Sequence, residues 1–182
     1  MSGVRLLGDE QGAIDDYLQS PGEDTFRRLF VSLAPRVLAF YRARGCDPQM
    51  AQDLAQEVML KVYEQSSALR QREAFRGWLF RIVRNEWLQR LRRLGRTVPT
   101  VRLNVDEHEN GGEAKDPLAG ARFHEWMQTL EPDEREIMTF RYVDGLEYHE
   151  IAEALQMPTG TVQWKVFHSK KKLATRFGQG RA

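Results

Sequence analysis

A single cysteine, Cys46, stands among the 182 residues. That excludes an intramolecular disulfide and a cysteine-based zinc site. No apolar run reaches membrane-spanning length, and the N-terminal stretch MSGVRLLGDE turns acidic too soon for a signal peptide. The expectation is a soluble, cytoplasmic chain without a membrane partner. An excess of one charge is also missing: 27 Lys and Arg against 26 Asp and Glu leave a net charge of +1. There is no internal repeat and no low-complexity tract. No catalytic constellation appears either. His149-Glu150-Ile151-Ala152-Glu153 resembles the zinc-protease pattern but has Glu153 where histidine is required. Asp106-Glu107-His108-Glu109 could hold a metal loosely, but in a polar stretch it reads more simply as a solvated acidic run. There is no Ser-His-Asp pattern and no glycine loop to cradle phosphate. We therefore expect no enzyme, no metal and no cofactor.

What is present is helical periodicity and segregated charge. Hydrophobic content of 41% suffices for packed cores. The strongest pattern lies at 147–173. Tyr148, Ile151, Ala152 and Leu155 share one helical face at spacings of three and four. Gln156-Met157-Pro158 ends that helix, because a residue before proline is pushed out of the α region. Pro158-Thr159-Gly160-Thr161 opens a second helix, with Val162, Val166, Leu173 and, in part, Phe167 facing inward. This is the layout of a helix-turn-helix. Glu153 is the last acid of the chain; Lys165, Lys170, Lys171, Lys172, Arg176 and Arg181 follow it. A one-signed basic end behind such a helix pair suits phosphate contacts.

Earlier in the chain, residues 1–19 are weakly patterned, with a short helical turn around Ile14, Tyr17 and Leu18. Ser20-Pro21-Gly22-Glu23 fits a capping box. It opens a helix with the stripe Phe26, Leu29, Phe30, Leu33, Val37, Phe40 and Tyr41, stopped by Gly45. Asp47 is the next N-cap. A helix over 48–65 places Ala51, Leu54, Ala55, Val58, Val62 and Tyr63 inside and Asp53, Gln56, Glu57, Leu60, Lys61 and Glu64 outside. The outer face is either plainly solvated or a docking surface for a basic partner. A polar loop, 66–73, leads to a third long helix starting near Ala74. Phe75, Trp78, Leu79, Ile82 and Leu91 pack inward there. Its arginines, interleaved with Phe80, Trp87, Asn85 and Gln89, suit a nucleic-acid backbone with bases stacked on aromatics. The alternative is that these aromatics are core and the arginines surface. The pattern collapses over 96–117, a polar, acidic, flexible linker. The predicted fold is all-α, with an N-terminal extension (1–22), a helical bundle (23–95), the linker (96–117) and a helix-turn-helix domain (118–182). The latter begins with Leu118, Phe123, Trp126, Met127 and Leu130. Its next helix opens at Pro132, with Ile137, Met138 and Phe140 inside.

In this order the parts resemble the group IV, or extracytoplasmic function, sigma factors of bacterial RNA polymerase. The carriers are DLAQEVMLKVY (53–63), FRGWLFRIVRN (75–85), LEPDEREIMTFRYVDGL (130–146), YHEIAEAL (148–155) and GTVQWKVFHSKKKL (160–173). The resemblance implies an alternative sigma factor that binds polymerase core and directs promoter-specific initiation. Its region 2 would melt and hold the −10 element, and region 4 would read the −35 element. Asp53, Gln56, Glu57 and Leu60 would bind the β′ clamp, and region 4 the β flap. Ser67, Arg70, Arg72, Arg76, Arg81, Arg84 and Asn85 would hold the melted −10 strand, with one base flipped into a pocket. Thr161, Gln163, Trp164, Lys165, His168, Lys171 and Lys172 would meet the −35 duplex, and the linker would run toward the RNA exit path. An anti-sigma factor is the further implied partner. Gln156 replaces the family's usual turn glycine, which predicts a mildly strained left-handed residue. Glu147 replaces the usual serine N-cap. Two rival readings keep the same residues: a one-component regulator with this helix-turn-helix, and a metal-dependent nuclease using 106–109.

Overall fold

The structure is a computed structural model that describes residues 3–66, 74–95 and 124–177, with side chains from residue 10 to 176 within them. Among the described residues there is no strand and no helix long and apolar enough to cross a membrane. The helices with described bounds are, in order, α1 (Gly3–Gln19), α2 (Glu23–Ala43), α3 (Pro48–Gln65), α4 (Phe75–Arg93), α5 (Pro132–Tyr142), α6 (Tyr148–Leu155) and α7 (Thr159–Phe177). Residues 124–128 are helical ahead of α5.

The N-terminal region departs from expectation. Residues 1–19 read as little more than a turn, yet most of them form α1. Ile14 and Tyr17 are buried, and the Tyr17 hydroxyl shares a 2.7 Å hydrogen bond with Ser66 Oγ. Two buried residues one turn apart are too short a stripe to announce a helix. The capping box is also displaced. Gly22, not Ser20, is the N-cap of α2, and the Thr25 hydroxyl donates to the Ser20 and Gly22 carbonyls. At α3 the expected cap is in place: Asp47 Oδ1 accepts from Met50 N at 2.9 Å, with Pro48 at the first helical position.

α2, α3 and α4 pack into a bundle. Leu33, Val37 and Tyr41 of α2, Leu54, Val58 and Val62 of α3, and Phe75, Leu79 and Val83 of α4 are buried. The Tyr41 hydroxyl donates to Val83 O at 3.0 Å, and burial holds its ionisation above the ordinary tyrosine range. Cys46 is buried beside it, and burial pushes its thiol up to about 11. Tyr63 is a correction. It is 56% exposed, and Met59 fills the core position instead; Tyr63 lies edge-on to Phe26 at the rim.

α5 and α6 continue the same buried cluster. Phe140 of α5 stacks on Phe40 of α2 and meets Phe80 of α4 edge-on, with ring centroids 6.2 and 6.3 Å apart. α6 crosses α4 closely. A Cβ on Gly77 would lie 2.6 Å from Glu153 Cβ and 2.8 Å from Glu150 O, so only glycine allows this crossing. The turn at 144–146 is anchored from α2: Arg44 pairs with Asp144 at 2.8 Å, and Arg36 Nη1 donates to Asp144 O.

α6 closes in a Schellman arrangement, Met157 N to Ala152 O at 3.0 Å and Gln156 N to Glu153 O at 3.3 Å. Gln156 stands at φ 53°, the left-handed residue the sequence predicts. A side chain there costs on the order of 1 kcal/mol. Gln156→Gly should therefore raise the guanidinium midpoint by about 1 kcal/mol of stability with the slope unchanged; an unmoved midpoint would show that the turn is relaxed.

Candidate nucleic-acid and polymerase interfaces

Three surfaces carry the sequence-predicted site residues. On α3, Ala51, Leu54, Ala55, Val58, Met59 and Val62 face the core. The opposite face presents Asp53, Gln56, Glu57 and Leu60 together. Leu60 is 60% exposed among charges. Gln49 Nε2 donates to Asp53 at 2.9 Å, and Glu57 pairs with Arg90 of α4 at 3.3 Å. The face is thus acidic, with an apolar contact point, on a helix held rigid from behind.

On α4 the choice left open for the aromatics is resolved. Phe80 is wholly buried and Trp87 nearly so, so neither offers a ring for base stacking. Packing on both sides consumes the helix, and even Glu86 is buried against Lys61. The arginines are not free surface either. Arg76 pairs with Glu150 at 3.1 Å, Arg81 with Glu153 at 2.8 Å, and Arg84 takes both oxygens of Glu136 at 2.6 and 2.9 Å. The acids come from α5 and α6, more than fifty residues away in sequence, which local charge reading cannot anticipate. Asn85 remains exposed. Ser67, Arg70 and Arg72 lie outside the described residues.

On α7 the inward residues are Val162, Val166 and Ser169, with Leu173 partly buried. Phe167 is a correction. At 69% exposed it faces outward, and the small Ser169 takes the core position. On a helix of 3.6 residues per turn, Gly160, Trp164, Phe167 and Lys171 share the outermost line. Gln163 and His168 flank it. Trp164 is 57% exposed and stacks flat on His168, ring centroids 4.9 Å apart at 8°. Sequence reading missed Phe167 because aromatics on amphipathic helices are usually core; its place opposite Val162 was the available signal.

Thr161, Lys165 and Lys172 lie on the side toward α5. Lys165 pairs with Asp133 at 2.5 Å and Lys172 with Glu134 at 2.8 Å. Part of the basic C-terminal charge is therefore neutralised by the first turn of α5, contrary to the one-signed reading. The hydrogen bond from Lys165 holds Asp133 below its ordinary range. For Glu134, burial opposes ionisation, but bonds from Lys172 and the Glu131 N–H outweigh it and the pKa is lowered. Both α5 and α6 place a glutamate at the third helical position whose carboxylate accepts the N-cap amide: Glu134 from Glu131, and Glu150 from Glu147. Glu147, in the place of the usual serine N-cap, is thus capped in return, and it also pairs with Arg141. No cluster of three or more metal-ligating side chains occurs among the described residues; 106–109 lies outside them.

A carboxylate with a depressed native pKa contributes stability above its unfolded pKa and loses it as the pH falls through the native value. For Glu134 that window lies below the ordinary glutamate value of about 4.3. Glu134→Gln should be less stable than the parent at neutral pH, and the difference should shrink on acidification toward pH ~3. Denaturant titrations across that range check it; a constant difference would mean the charge is immaterial.

Comparison with known proteins follows the same division. Residues 29–97 match the family described as Sigma-70 region 2, and residues 121–173 match Sigma-70, region 4. The RNA polymerase sigma-H factor of Pseudomonas aeruginosa is 31% identical, across 92% of this chain and 94% of that protein. The ECF RNA polymerase sigma-E factor of Escherichia coli K12 is 31% identical across 66% of this chain and 70% of that protein. Among solved structures, CnrH in complex with the cytosolic domain of CnrY matches with a TM-score of 0.63 at 18% identity, over 94% of this chain and 99% of that one. Sigma factor RpoE in complex with the anti-sigma factor NepR from Bartonella quintana matches with a TM-score of 0.61 at 19% identity, over 87% and 100%. At those identities the structures share the fold.

Proposed function

Because the chain belongs to the extracytoplasmic function sigma factors of RNA polymerase, we propose how its elements divide promoter-specific initiation among them. The α3 face of Asp53, Gln56, Glu57 and Leu60 docks on the β′ clamp. α4, with Arg76, Arg81, Arg84 and Asn85, and the preceding loop, with Ser67, Arg70 and Arg72, hold the melted −10 strand. The α7 end of the chain meets the β flap and reads the −35 duplex. The chain works in the cytoplasm and has no catalysis of its own. An anti-sigma factor is its regulator, as the complex of RpoE with NepR is for a protein of the same fold.

The observation that carries this reading is the outward line of α7. A DNA-reading helix must present side chains to base edges while its other face is held by the helix before it. Val162 and Val166 do the holding. Gln163 can bond adenine through both ends of its amide, and Trp164 and Phe167 can meet thymine methyls. Thr161 and Lys171 would meet phosphates, which set register without reading sequence, and Lys172 would join them on leaving Glu134. Lys165 reaches guanine only by leaving Asp133. A single good base contact discriminates by about 1–3 kcal/mol.

Two experiments follow. Reversing Asp53 and Glu57 to lysine should weaken binding to purified core polymerase at least about tenfold, the effect of replacing attraction by like-charge repulsion, with helical content retained. Undiminished competition for core would remove α3 from the docking surface. In a binding selection on randomised duplexes, Gln163→Ala and Phe167→Ala should each relax preference at one or two base pairs of the −35 element. Lys172→Ala should instead lower affinity about equally for all sequences and flatten the salt dependence. An unaltered preference at every position in both reading variants would mean that α7 docks in another orientation.

A further inference from the structure

We propose that Tyr17 is a positioning residue for the melted −10 strand: its hydroxyl, brought by α1, fixes the last turn of α3, from which the strand-holding stretch 67–73 departs. The proposal rests on the role given above to Ser67, Arg70 and Arg72 and assigns α1 a part in it.

The end of α3 has little of its own to hold it. After α2 and α4 the chain turns on Gly45 and Gly95, whose φ values of 80° and 61° stop a helix cleanly. No glycine occurs between residues 46 and 76, and the last turn of α3 carries no basic side chain to meet its carbonyls. Ser66, the C-cap, still has right-handed helical angles, φ −64° and ψ −24°. A bond from outside the helix supplies the anchor. The Tyr17 hydroxyl lies 2.7 Å from Ser66 Oγ, and the Ser66 hydroxyl donates to the Tyr63 carbonyl at 3.4 Å. With the Ser66 proton engaged there, Tyr17 is the donor to Ser66. The relay ends on a carbonyl of the last turn, one of those that a helix leaves without an internal partner.

This relay is dry. Tyr17 is 3% exposed and Ser66 5%, so each hydroxyl depends on the other, and a buried hydroxyl left unmet is costly. α1 itself is seated on α2, through the buried Ile14 and through Glu10, which pairs with Arg36 at 3.1 Å. The rings repeat the link. Tyr17 lies 5.6 Å from Phe26 of α2, and Phe26 meets Tyr63 edge-on at 4.9 Å. One turn of α3 is thus held twice, by a hydroxyl and by a ring. Groups that recognise a ligand discriminate well only when supporting contacts of this kind hold the backbone that carries them.

The test is a selection from short randomised single strands by holoenzyme rebuilt from core polymerase and the full chain. Tyr17→Phe removes one oxygen and keeps the ring. It should lower the enrichment of the preferred −10 strand about threefold, the loss expected of one neutral hydrogen bond. Competition for core and affinity for the −35 duplex should stay at the parent's values. Ser66→Ala should act alike, and the two together no more than either alone, because they break one link. Unchanged preference in the Tyr17→Phe chain overturns the proposal, as do summed effects in the double variant. A fall in core binding that matches the fall in preference also overturns it, since a merely weakened fold produces that result. Arg70→Ala with Arg72→Ala, run in the same selection, separates the two layers. If that pair alters the preference and Tyr17→Phe does not, the strand-holding stretch stands and the part of α1 falls. If the pair leaves the preference as it was, the strand-holding reading falls and takes this proposal with it.

Discussion

The buried ion pair between Arg44 and Asp144 sets the relation of the two ends of the chain. Both side chains are almost wholly removed from water, and the Arg44 guanidinium lies 3.3 Å over the Phe40 ring. It also donates to the Phe40 carbonyl at 3.0 Å. Charges taken out of water are stable only when their remaining hydrogen-bonding capacity is met, and losing one partner of such a pair costs about 3–5 kcal/mol. The pair therefore pins the turn between α5 and α6 to the end of α2. From that point the positions of Phe140 against Phe40 and Phe80, and of α6 across Gly77, follow.

Charge is consequently organised by distance in space rather than along the chain. Among the described residues, two blocks that look one-signed along the chain are answered by remote acids. The α4 arginines face acids of α5 and α6, and the α7 lysines face the first turn of α5.

The helices were legible wherever apolar spacing ran for several turns. α3, α4, α5, α6 and the αL turn at Gln156 could all be read from residues, because periodicity, Asp47, Pro132 and Pro158 act locally. α1 could not, since among its described side chains Ile14 and Tyr17 are the only buried apolar ones. The candidate surfaces were half legible. The exposed acidic face of α3 follows from the opposite of its core stripe. The pairing of Arg76, Arg81 and Arg84 depends on a helix crossing that no local pattern encodes; Gly77, an unexplained glycine inside a helix, was its one trace. Phe167 was read as partly inward because size suggests an aromatic for the interior, whereas it stands outside and the small Ser169 is buried.

The exposure of Trp164 has a spectroscopic consequence. Trp78 and Trp87 are packed in the interior and Trp126 is half-buried, while Trp164 stands in solvent on the outer line of α7. Its emission lies toward the red, where water relaxes around the excited indole, and it is open to collisional quenchers that the interior indoles escape. The recognition helix thus carries its own optical reporter. With Trp126 replaced by phenylalanine, red-edge emission and quencher access follow occupancy of that helix without any added label.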